Sequence, residues 1–547
     1  MSQNLRGLSA RKGLDRSLYE ATLQATQPDG GRRIAEIAEE FLVGEASLIG
    51  ASASYDFPQL ERAGKKVLLC AGTACLVSGR QASLQSALSP QFSDHEIGHV
   101  ICLGHCHRND AFLYNQATWT REDLASLGKP GASPSAPQPV PTGTLAAPPI
   151  LLAPIPDPQA YYAPLLGLKG APAPALEALR VSGLRGRGGA GFPFHLKVEA
   201  ARTAASDRKY VVCNADEGDP GAYSDKWLME ERPHAVLAGM MTIGALIGAD
   251  TGVLYIRGEY PESIRAIRAA IGELDAMGIL GDDRSNAGPS FRFHVITGSG
   301  AYICGEETAL LNSIEGLRPE VRVRPPFPTR HGLFGKPTLL SNVETLANVP
   351  FILTAGGEAY AAQGLASCTG TKLVSLDGGF NRPGVYEVPM GTSLRLILDD
   401  LGGGTRHPVK AFQIGGPLGG LVPVARVDSL TLDFETFANA GFLLGHAGIV
   451  AIPAHFPLAN LLSHLFAFTA RESCGKCFPC RIGAQRGQEL LAGAIHHGHR
   501  IDPKLFADLL ETLELGSLCA LGGGLPLPVR NALNYFGDEL APLFLDA

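Results

Sequence analysis

Cysteine placement restricts the fold of this chain more than any other feature of its sequence. Eight of the eleven cysteines fall into two groups with the spacing of metal ligands, and Cys213, Cys304 and Cys368 stand apart. Disulfides are not expected, because the polar start at Met1 to Gly13 is not followed by an apolar signal-peptide core. The groups predict two metal centres, and the three separate cysteines are interpreted as small buried apolar residues.

The C-terminal group combines a C-x2-C-x2-C run with one remote cysteine: Cys474, Cys477, Cys480 and Cys519. Three closely spaced thiolates and one distant thiolate suit a [4Fe–4S] cluster, because the short loop wraps one side and the fourth ligand closes the site. A structural zinc site with four cysteines is the alternative, although zinc usually takes two separate C-x2-C pairs. We therefore predict that these residues bind a [4Fe–4S] cluster.

The N-terminal group consists of two pairs, C-x4-C and C-x3-C, namely Cys70, Cys75, Cys102 and Cys106. Each pair begins at the end of a predicted strand, Val67 to Cys70 and His99 to Cys102. Two such pairs can hold a [2Fe–2S] cluster with two thiolates on each iron. A zinc site, or a domain that has lost its metal, stays open as an alternative. Since four cysteines suffice, His105 and His107 are interpreted as loop residues.

The 547 residues exceed what one hydrophobic core holds, so several domains are expected. Residues 14–58 carry a helical pattern whose apolar face consists of Ile34, Ile37, Phe41 and Leu42. Short strands then alternate with helix-like stretches up to Leu127, as in a small α/β domain. Residues 129–159 are rich in Pro, Ala, Ser and Gly without periodicity, which is typical of a linker.

A larger α/β region follows the predicted linker. Its apolar strand candidates are Tyr210 to Cys213, Val253 to Ile256 and Phe291 to Ile296, and its helix candidates are Pro233 to Ala249 and Pro261 to Met277. This alternation predicts crossover units on a mostly parallel sheet. Short strands with turns at residues 372–404 indicate a small mixed β domain, and helical periodicity dominates from Pro457 onward.

Charge and hydropathy exclude two classes of partner. The formal net charge of −7 offers no basic field for nucleic acid. The longest apolar stretches, such as Val236 to Ala249, are shorter than the roughly 18 residues that a membrane span needs. A soluble, cytoplasmic protein is therefore expected.

Three polar loops follow elements of the larger α/β region. The glycine-rich loop Gly183 to Pro193 precedes a helix-like stretch, Asn214 to Gly221 follows the first strand, and Gly300 to Thr308 follows the third. Since ligands of open α/β sheets bind beyond the carboxyl ends of the strands, these loops should converge on a phosphate-bearing ligand. Carboxylates repel phosphate, so they more plausibly accept hydrogen bonds from ribityl, ribose or amide groups. Taken singly, each loop has a simpler alternative: the glycines form an ordinary turn, and the acids cap a turn and face solvent.

Five motifs, in this order, resemble the NADH-binding FMN subunit of respiratory complex I. They are the glycine loop, Asn214 to Gly221, Gly305 to Thr308, Asn342 to Thr345, and the C-terminal cysteines. The resemblance covers about residues 161–545. Residues 14–128 look like the separate thioredoxin-like [2Fe–2S] subunit of that complex, here fused to the N-terminus. Such fusions resemble the diaphorase subunits of soluble NAD-dependent formate dehydrogenases and NAD-reducing hydrogenases.

The resemblance implies two sets of binding residues. The residues expected to line FMN are Gly186, Arg187, Gly188, Gly189, Ala190, Gly191, Lys197, Asn214, Asp216, Tyr302, Gly305, Glu306, Asn342 and Thr345. Those expected toward the nicotinamide nucleotide are Phe192, Glu217, Asp219, Glu307, Arg324 and Phe327. The sequence departs from the complex I pattern at Asp219 (usually Glu), Arg324 (usually Lys) and Phe194-His195 (usually Thr-Gly), the last of which should crowd the flavin-side loop.

The resemblance also implies a multidomain α/β fold with six segments. These are an N-terminal helical segment (1–62), a thioredoxin-like [2Fe–2S] domain (63–128), a linker (129–160), a Rossmann-like domain for FMN and NAD(H) (161–365), a β-grasp domain (366–445) and a helical [4Fe–4S] bundle (446–547).

The mechanism that follows is electron transfer through a flavin. A hydride carries two electrons and a cluster takes one, so FMN belongs between them. We expect hydride exchange between nicotinamide C4 and flavin N5 without a catalytic acid or base, followed by single-electron passage to the C-terminal cluster. The N-terminal cluster is either a side store or a link to another subunit. NAD is preferred over NADP, because acids near the ribose disfavour an added phosphate.

The other half-reaction must lie on partner chains, because nothing in the sequence resembles a molybdopterin, nickel–iron or quinone site. A molybdenum or tungsten formate dehydrogenase subunit is the favoured partner, and a nickel–iron hydrogenase subunit is second. Two alternatives of another class are a redox-inactive assembly scaffold and a zinc-holding binding module.

Overall fold

The computed structural model describes residues 14–26, 34–129, 131–135, 138–154, 157–166, 168, 172–280 and 291–546. Met1 to Gly13, considered above for a signal peptide, lies outside these ranges. Within them, no helix combines the length and apolarity that crossing a bilayer demands. The expected fold class is confirmed: several α/β units with separate sheets and a helical C-terminal region.

The N-terminal helical segment is present. It consists of α1 (Leu18–Thr26), α2 (Ile34–Glu40), α3 (Glu45–Ser52) and α4 (Asp56–Arg62). Ile37 and Phe41 are buried as expected, but Leu42 is 65% exposed. The prediction for Leu42 was wrong because α2 ends at Glu40 and Leu42 adopts a positive φ of 53°, which turns it off the apolar face.

The next region is a four-stranded mixed sheet. It contains β1 (Val67–Cys70), α5 (Thr73–Ser78), α6 (Arg80–Leu88), β2 (Ile97–Val100), β3 (Ala111–Tyr114) and β4 (Ala117–Thr120). The strand order is β2-β1-β3-β4, with β1 and β2 parallel and the other pairs antiparallel. Because β2 ends at Val100, Cys102 lies in the following loop rather than in the strand expected at residues 99–102.

The segment expected as a linker is partly docked on another sheet. Its strand β5 (Thr142–Thr144) pairs in parallel with β13 (Gly384–Pro389). The buried Glu387 carboxylate accepts the backbone N–H groups of Ile150, Leu151 and Leu152 at 2.8–3.0 Å. Composition marked this segment as irregular, but irregular backbone can still satisfy its polar groups on a neighbouring element.

The larger α/β region forms the expected parallel sheet. Its strands are β6 (Tyr210–Ala215), β7 (Thr251–Ile256), β8 (Arg292–Thr297) and β9 (Thr338–Asn342), in the order β8-β7-β6-β9, all parallel. Its helices are α7 (Ala163–Leu166), α8 (Ala173–Ser182), α9 (Phe194–Thr203), α10 (Ser224–Glu231), α11 (Pro233–Ile247), α12 (Pro261–Ala276), α13 (Glu307–Ile314), α14 (Pro328–His331), α15 (Val343–Ala347), α16 (Val349–Ala355) and α17 (Gly357–Ala361). Nearly every residue of α11 is buried, as its continuous apolar sequence requires.

A second sheet of six strands follows the parallel one. Its further strands are β12 (Thr371–Leu376), β14 (Val409–Ile414), β15 (Gly420–Pro423) and β16 (Gly448–Pro453), in the order β15-β14-β16-β12-β13-β5. A short hairpin, β10 (Gly364–Leu365) with β11 (Cys368–Thr369), precedes it, and α18 (Leu394–Leu396) and α19 (Phe434–Asn439) pack beside it. The sheet extends to Pro453, beyond the boundary expected at residue 445, because the apolar, β-branched run of β16 fills a central place in it.

The C-terminal region is helical, as predicted. It contains α20 (Leu458–Glu472), α21 (Ala484–His497), α22 (Pro503–Gly516), α23 (Ala520–Gly524), α24 (Pro526–Tyr535) and α25 (Gly537–Leu540). One continuous apolar cluster runs from the parallel sheet into these helices, and it includes Cys102, Cys106, Cys474 and Cys480. Both cysteine groups therefore border the same core as the parallel sheet. Cys213, Cys304 and Cys368 are buried, as expected.

Candidate functional site

Polar loops meet at the carboxyl edge of the parallel sheet. The Asn214 amide, at the end of β6, donates to the carbonyl oxygen of Gly305, after β8, at 2.8 Å. A Cβ on Gly305 would lie 3.3 Å from the carbonyl oxygen of Asp216, and one on Gly218 would lie 2.6 Å from the Tyr302 ring. A side chain at Gly218 would clash with the Tyr302 ring, and one at Gly305 would be tight, so the loops after β6 and β8 lie close together, as the sequence predicts.

The glycine-rich loop joins this site through the start of α15. The backbone N–H of Arg187 donates to the Thr345 hydroxyl at 2.9 Å, and the Asn342 side chain caps α15 by accepting the Thr345 N–H at 3.2 Å. A Cβ on Gly188 would lie 3.0 Å from that of Asn342, and Gly189 adopts a φ of 117°. Glycine is therefore required here to form a cradle around the Asn342 amide.

Two side chains of the glycine loop region point away from the cradle. The Arg187 guanidinium is buried and donates to the Tyr360 hydroxyl at 2.9 Å and the Thr369 carbonyl at 2.6 Å. Phe194, expected to crowd the flavin-side loop, packs into the core with 2% of its surface exposed. The loop thus presents backbone, together with Gly188 and Ala190, to the cradle.

Two carboxylates at the convergence point carry oxygens without a hydrogen-bond partner among the described residues, Asp216 Oδ2 and Glu306 Oε1. Glu306 uses its other oxygen to cap α13, accepting the backbone N–H groups of Thr308 and Ala309, each at 2.9 Å. Burial raises the pKa of Asp216 well above its usual range. Buried acceptors without donors suit a ligand that supplies hydroxyl or amide hydrogens.

Two acids expected toward the nucleotide, Glu217 and Asp219, make hydrogen bonds within the protein. The carboxylate of Glu217 accepts the backbone N–H groups of Asp225 and Lys226, both at 3.0 Å, at the start of α10. Asp219 accepts the Tyr302 hydroxyl at 2.6 Å, and burial raises its pKa despite that bond. These contacts fix the loop after β6 against the rest of the site.

An open mouth lies beside the glycine loop. Phe192 and Phe327 are 53% and 56% exposed, which is unusual for such large apolar side chains. Between them in sequence, Glu307 receives Lys197 at 3.1 Å and Arg324 at 2.8 Å. Burial would raise the pKa of Glu307, but these two cations outweigh it and lower the pKa. The mouth therefore offers two exposed aromatic faces and an ionised cluster of one carboxylate and two cations.

A direct connection leads from this site to the C-terminal cysteines. The backbone N–H of Tyr302 donates to the Glu472 carboxylate at 2.8 Å, and the Tyr302 ring lies edge-on to Phe468 with centroids 4.8 Å apart. Glu472 ends α20, directly before the cysteine run. The Arg318 guanidinium donates to the carbonyl oxygen of Cys474 at 3.2 Å. The loop after β8 thus packs against the elements that position the cysteines.

The four C-terminal cysteines form one electrostatic group. Cys480 Sγ lies 3.3 Å from the Ser473 hydroxyl. Burial is the main cause that raises the pKa of Cys480 to about 11, and the neighbouring Cys477 and Cys474 raise it further. Burial raises the pKa of Cys519 to about 12, with contributions from Cys480 and Cys474. Because metal ligands must be thiolates, a positively charged centre is needed to ionise such a group.

Large apolar side chains are exposed around the C-terminal cysteines, beside the exposed Lys476 and Arg481. The apolar side chains are Phe478 (74%), Ile482 (58%), Leu515 (77%) and Leu518 (42%). Phe478 lies between Cys477 and Cys480, and Leu518 directly precedes Cys519. We name these four side chains the cysteine rim.

The N-terminal cysteines are all buried, whereas Cys477 and Cys519 of the C-terminal group are partly exposed. Distant backbone holds the N-terminal group. Cys102 Sγ and Cys106 Sγ lie 3.6 Å apart, and the N–H of Gly221 donates to Cys106 Sγ at 3.2 Å. The hydrogen bond with Cys102, together with burial, raises the pKa of Cys106 well above its usual range. The buried Arg257 links this group to the loop after β6 by donating to the carbonyl oxygens of Cys102, at 3.0 Å, and Glu217.

The sulfur spacing bears on the zinc alternative. Tetrahedral zinc with bonds of about 2.3 Å places its sulfurs about 3.8 Å apart. In the part of the chain that the structure describes, no three cysteine sulfurs lie within 4.8 Å of one another. Each donor set consists of four cysteines, the number that both an iron–sulfur cluster and structural zinc require. His105 and His107 lie in the N-terminal loop, and one nitrogen of each ring has no hydrogen-bond partner among the described residues.

Several residues of this site were not singled out from the sequence. They are Asp225, Arg257, His446 and Glu472, all buried and all in contact with predicted site residues. In the sequence they look like ordinary surface charges, because burial depends on contacts between distant segments. For Asp225, the nearby acidic loop was a usable signal; for His446, its place between two glycine-rich stretches was the only one.

The fold and the two cysteine regions are those of an NADH-binding FMN and iron–sulfur subunit. Residues 179–351 match the model of the Nuo51 FMN-binding domain, and residues 460–542 match the iron–sulfur binding region of NADH-ubiquinone oxidoreductase-F. The chain belongs to this family, whose members bind NADH, FMN and a [4Fe–4S] cluster.

Particular relatives agree with this assignment. The subunit HndC of the NADP-reducing hydrogenase of Solidesulfovibrio fructosivorans is 39% identical over 70% of this chain and 80% of its own length. The F subunit of the NADH-quinone oxidoreductase of Escherichia coli (strain K12) is 40% identical over 65% and 81%. A chain of the NAD⁺-reducing [NiFe]-hydrogenase in its H₂-reduced state is similar with a TM-score of 0.86 and 27% identity, covering 98% of this chain and 93% of that one.

Proposed function

We propose that this chain is the NAD(H)-side subunit of a dehydrogenase complex and exchanges electrons between NAD(H), FMN and a partner subunit. The observation that carries the proposal is the contact of Tyr302 with Glu472, because it joins the loop after β8 to the C-terminal cysteine segment. A binding module that transfers no electrons would not need its ligand cradle to contact the segment that carries the cysteines.

The cradle fits FMN. The glycine loop would hold the phosphate end through backbone N–H groups, and Asn342 and Asn214 would orient the ligand through their amides. Asp216 Oδ2 and Glu306 Oε1 accept no hydrogen bond from the described residues, although Arg324 lies 3.8 Å from Glu306 Oε1, and they would accept hydrogens from the ribityl chain or the ring. When bound, FMN supplies the conversion between two-electron exchange with NAD(H) and one-electron exchange with a cluster.

The open mouth fits the nicotinamide nucleotide. Phe192 and Phe327 would stack on its bases, since large exposed rings gain by covering planar groups. Lys197 and Arg324, held by Glu307, would face its phosphates. Glu217 and Asp219 would support the loop rather than bind the nucleotide directly, because both carboxylates already have protein donors.

The cysteine groups would hold the clusters. Cys474, Cys477, Cys480 and Cys519 would bind the [4Fe–4S] cluster, and Cys70, Cys75, Cys102 and Cys106 the [2Fe–2S] cluster. The cysteine rim supports the first as the electron exit, because an apolar surface next to a redox centre allows a partner to approach closely and exclude water. The proposed occupant of the rim is an iron–sulfur subunit of the parent complex.

The substrate of the parent complex is the finer part of the proposal. The sequence ranks formate first and hydrogen second. The end-to-end similarity to a chain of an NAD⁺-reducing hydrogenase favours hydrogen. Purification of the complex with untagged partners, followed by assays of formate- and hydrogen-dependent NAD⁺ reduction, distinguishes the two. Neither activity in an intact, flavin-loaded complex would contradict both substrates.

A glycine substitution tests the cradle itself. In Gly188→Ala, the added Cβ meets Asn342 at 3.0 Å, so we expect FMN affinity to fall about tenfold. Gly272→Ala in α12 is the control, because its Cβ would meet nothing within 4 Å. FMN release on denaturation, absorbance and NADH-dependent dye reduction are the measurements. A colourless, NADH-inert but metal-replete wild type would refute the proposed function.

A further inference from the structure

A buried histidine lies directly beneath the cradle and has no function in the proposal above. His446 lies in the loop before β16 and is 6% exposed. Its Nε2 lies 3.0 Å from Asp225 Oδ2 and 3.7 Å from Glu217 Oε1. Its Nδ1 has no hydrogen-bond partner among the described residues.

The contacts of Asp225 connect this histidine to the cradle. The same Asp225 Oδ2 accepts the Asn342 amide at 2.6 Å. Asn342 in turn caps α15 and lies against Gly188, and a Cβ on Gly189 would lie 3.5 Å from Gly445, the neighbour of His446. One carboxylate oxygen is thus shared between the imidazole and the amide that faces the proposed ligand.

Charge balance indicates that the imidazole is protonated. Asp225 and Glu217 face it directly, Asp219 lies near it, and Lys372, paired with Glu344, opposes it from β12. Burial would lower the pKa of His446, but the charge and hydrogen bond of Asp225, with Glu217, raise it to about 9. Two buried carboxylates without a cation would be strongly destabilised, so the imidazolium is their natural counter-ion.

We propose that His446 is a positioning residue of the FMN site: as an imidazolium it fixes the Asp225 carboxylate, and through it the Asn342 amide of the cradle. The inference depends on the proposed function, because it assumes that FMN occupies the cradle. His446 does not touch the reacting atoms, and acts through Asp225 alone.

This arrangement has a definite pH dependence. The pKa of His446 is higher in the folded protein than its ordinary value of 6.5. Its contribution to the free energy of folding is therefore complete below a pH of about 6.5 and is lost as the pH rises through about 9. In the folded protein, the imidazolium that holds Asp225 is lost in the same alkaline range. FMN affinity of the wild type should consequently weaken through an alkaline step, which is separate from any change near neutral pH caused by Glu217, because burial and the Asp225 charge raise the pKa of Glu217 to about 7.

The test is titration of FMN into the deflavinated full-length protein between pH 6.5 and 10, followed by flavin fluorescence. His446→Gln keeps an N–H donor but removes the charge, so we expect about tenfold weaker binding at pH 7 and no alkaline step. Asp225→Asn is the second variant and should remove the same step. His234→Gln is the matched control, since His234 is buried and lies 2.9 Å from the Glu273 carboxylate away from the cradle.

Each outcome decides between the claims. An alkaline step that persists in His446→Gln overturns the inference while leaving the proposed function intact. If the wild type binds no FMN at any pH, the proposed function fails first. The three groups Glu217, Asp225 and His446 could also hold a cation. If the wild type contained one equivalent of a metal other than iron and His446→Gln lost it, the proposal that His446 is protonated would be overturned. Loss of the step in both variants, with the control unchanged, supports it.

Discussion

The two cysteine regions differ in how each is enclosed. The N-terminal cysteines lie inside the molecule, where Gly221 and Arg257 hold them with backbone and guanidinium hydrogen bonds. Among the C-terminal cysteines, Cys477 and Cys519 are partly exposed, and exposed apolar side chains lie beside the group. Similar donor sets can therefore differ in access: a partner protein can approach the open group more closely than the enclosed one.

The strongest test of this contrast uses two arginines that donate to cysteine carbonyls. Arg257 contacts Cys102 with its side chain 4% exposed, and Arg318 contacts Cys474 with its side chain 50% exposed. Arg257→Gln leaves the buried Glu259 unpaired, at a cost of about 3–5 kcal/mol. We expect its thermal midpoint to fall by about 6–15 °C, and that of Arg318→Gln by less than about 2 °C. Equal decreases would contradict the contrast.

Ligand substitutions sharpen the comparison on the side of electron transfer. In Cys519→Ser we expect electron delivery to the partner to fall about 100-fold or more, because the open cluster loses a ligand. NADH should still bleach the flavin in this variant. Cys75→Ser removes a ligand of the enclosed site and should leave delivery to the partner unchanged. Stopped-flow absorbance with the intact complex measures both steps, and the reverse pattern would make the enclosed site the exit.

Truncation on the rim gives the smallest expected effect. Phe478→Ala should weaken partner binding about tenfold, since a large aromatic side chain at an interface carries much of its energy. Its stability should hardly change, because the side chain is 74% exposed. Leu42→Ala, at 65% exposure on the N-terminal helices, is the control. Unaltered binding in Phe478→Ala, measured by surface plasmon resonance, would show that the partner docks elsewhere.

Regular patterns in the sequence predicted regular structure well. The strands β6, β7 and β8 and the helices α11 and α12 lie where continuous apolar runs and helical periodicity placed them. Strand β5 was missed, because three residues in a proline-rich segment carry no periodicity. Strand β16 was assigned to the helical region, since a short apolar run does not distinguish a strand from a buried helix.

The site was predictable where backbone geometry demands a residue type. The glycine loop and the convergence of the loops after β6 and β8 follow from glycine's freedom and from the topology of parallel sheets. The direction of an acidic side chain was not predictable: Glu217 caps α10, whereas Asp216 keeps a free oxygen. His446 could not be predicted, because its partners come from segments more than two hundred residues away.

Strand β5 has a consequence for the connection between the two redox regions. By lying along β13 it occupies the outer hydrogen-bonding row of the six-stranded sheet, and Glu387 anchors the residues that follow it. The connecting segment is therefore no swinging arm: the N-terminal cysteine region cannot shuttle between docking positions while this strand is in place. The same strand covers the edge of β13, which could otherwise pair with a strand of another molecule. Cleavage of the segment would therefore favour aggregation as well as release the N-terminal region.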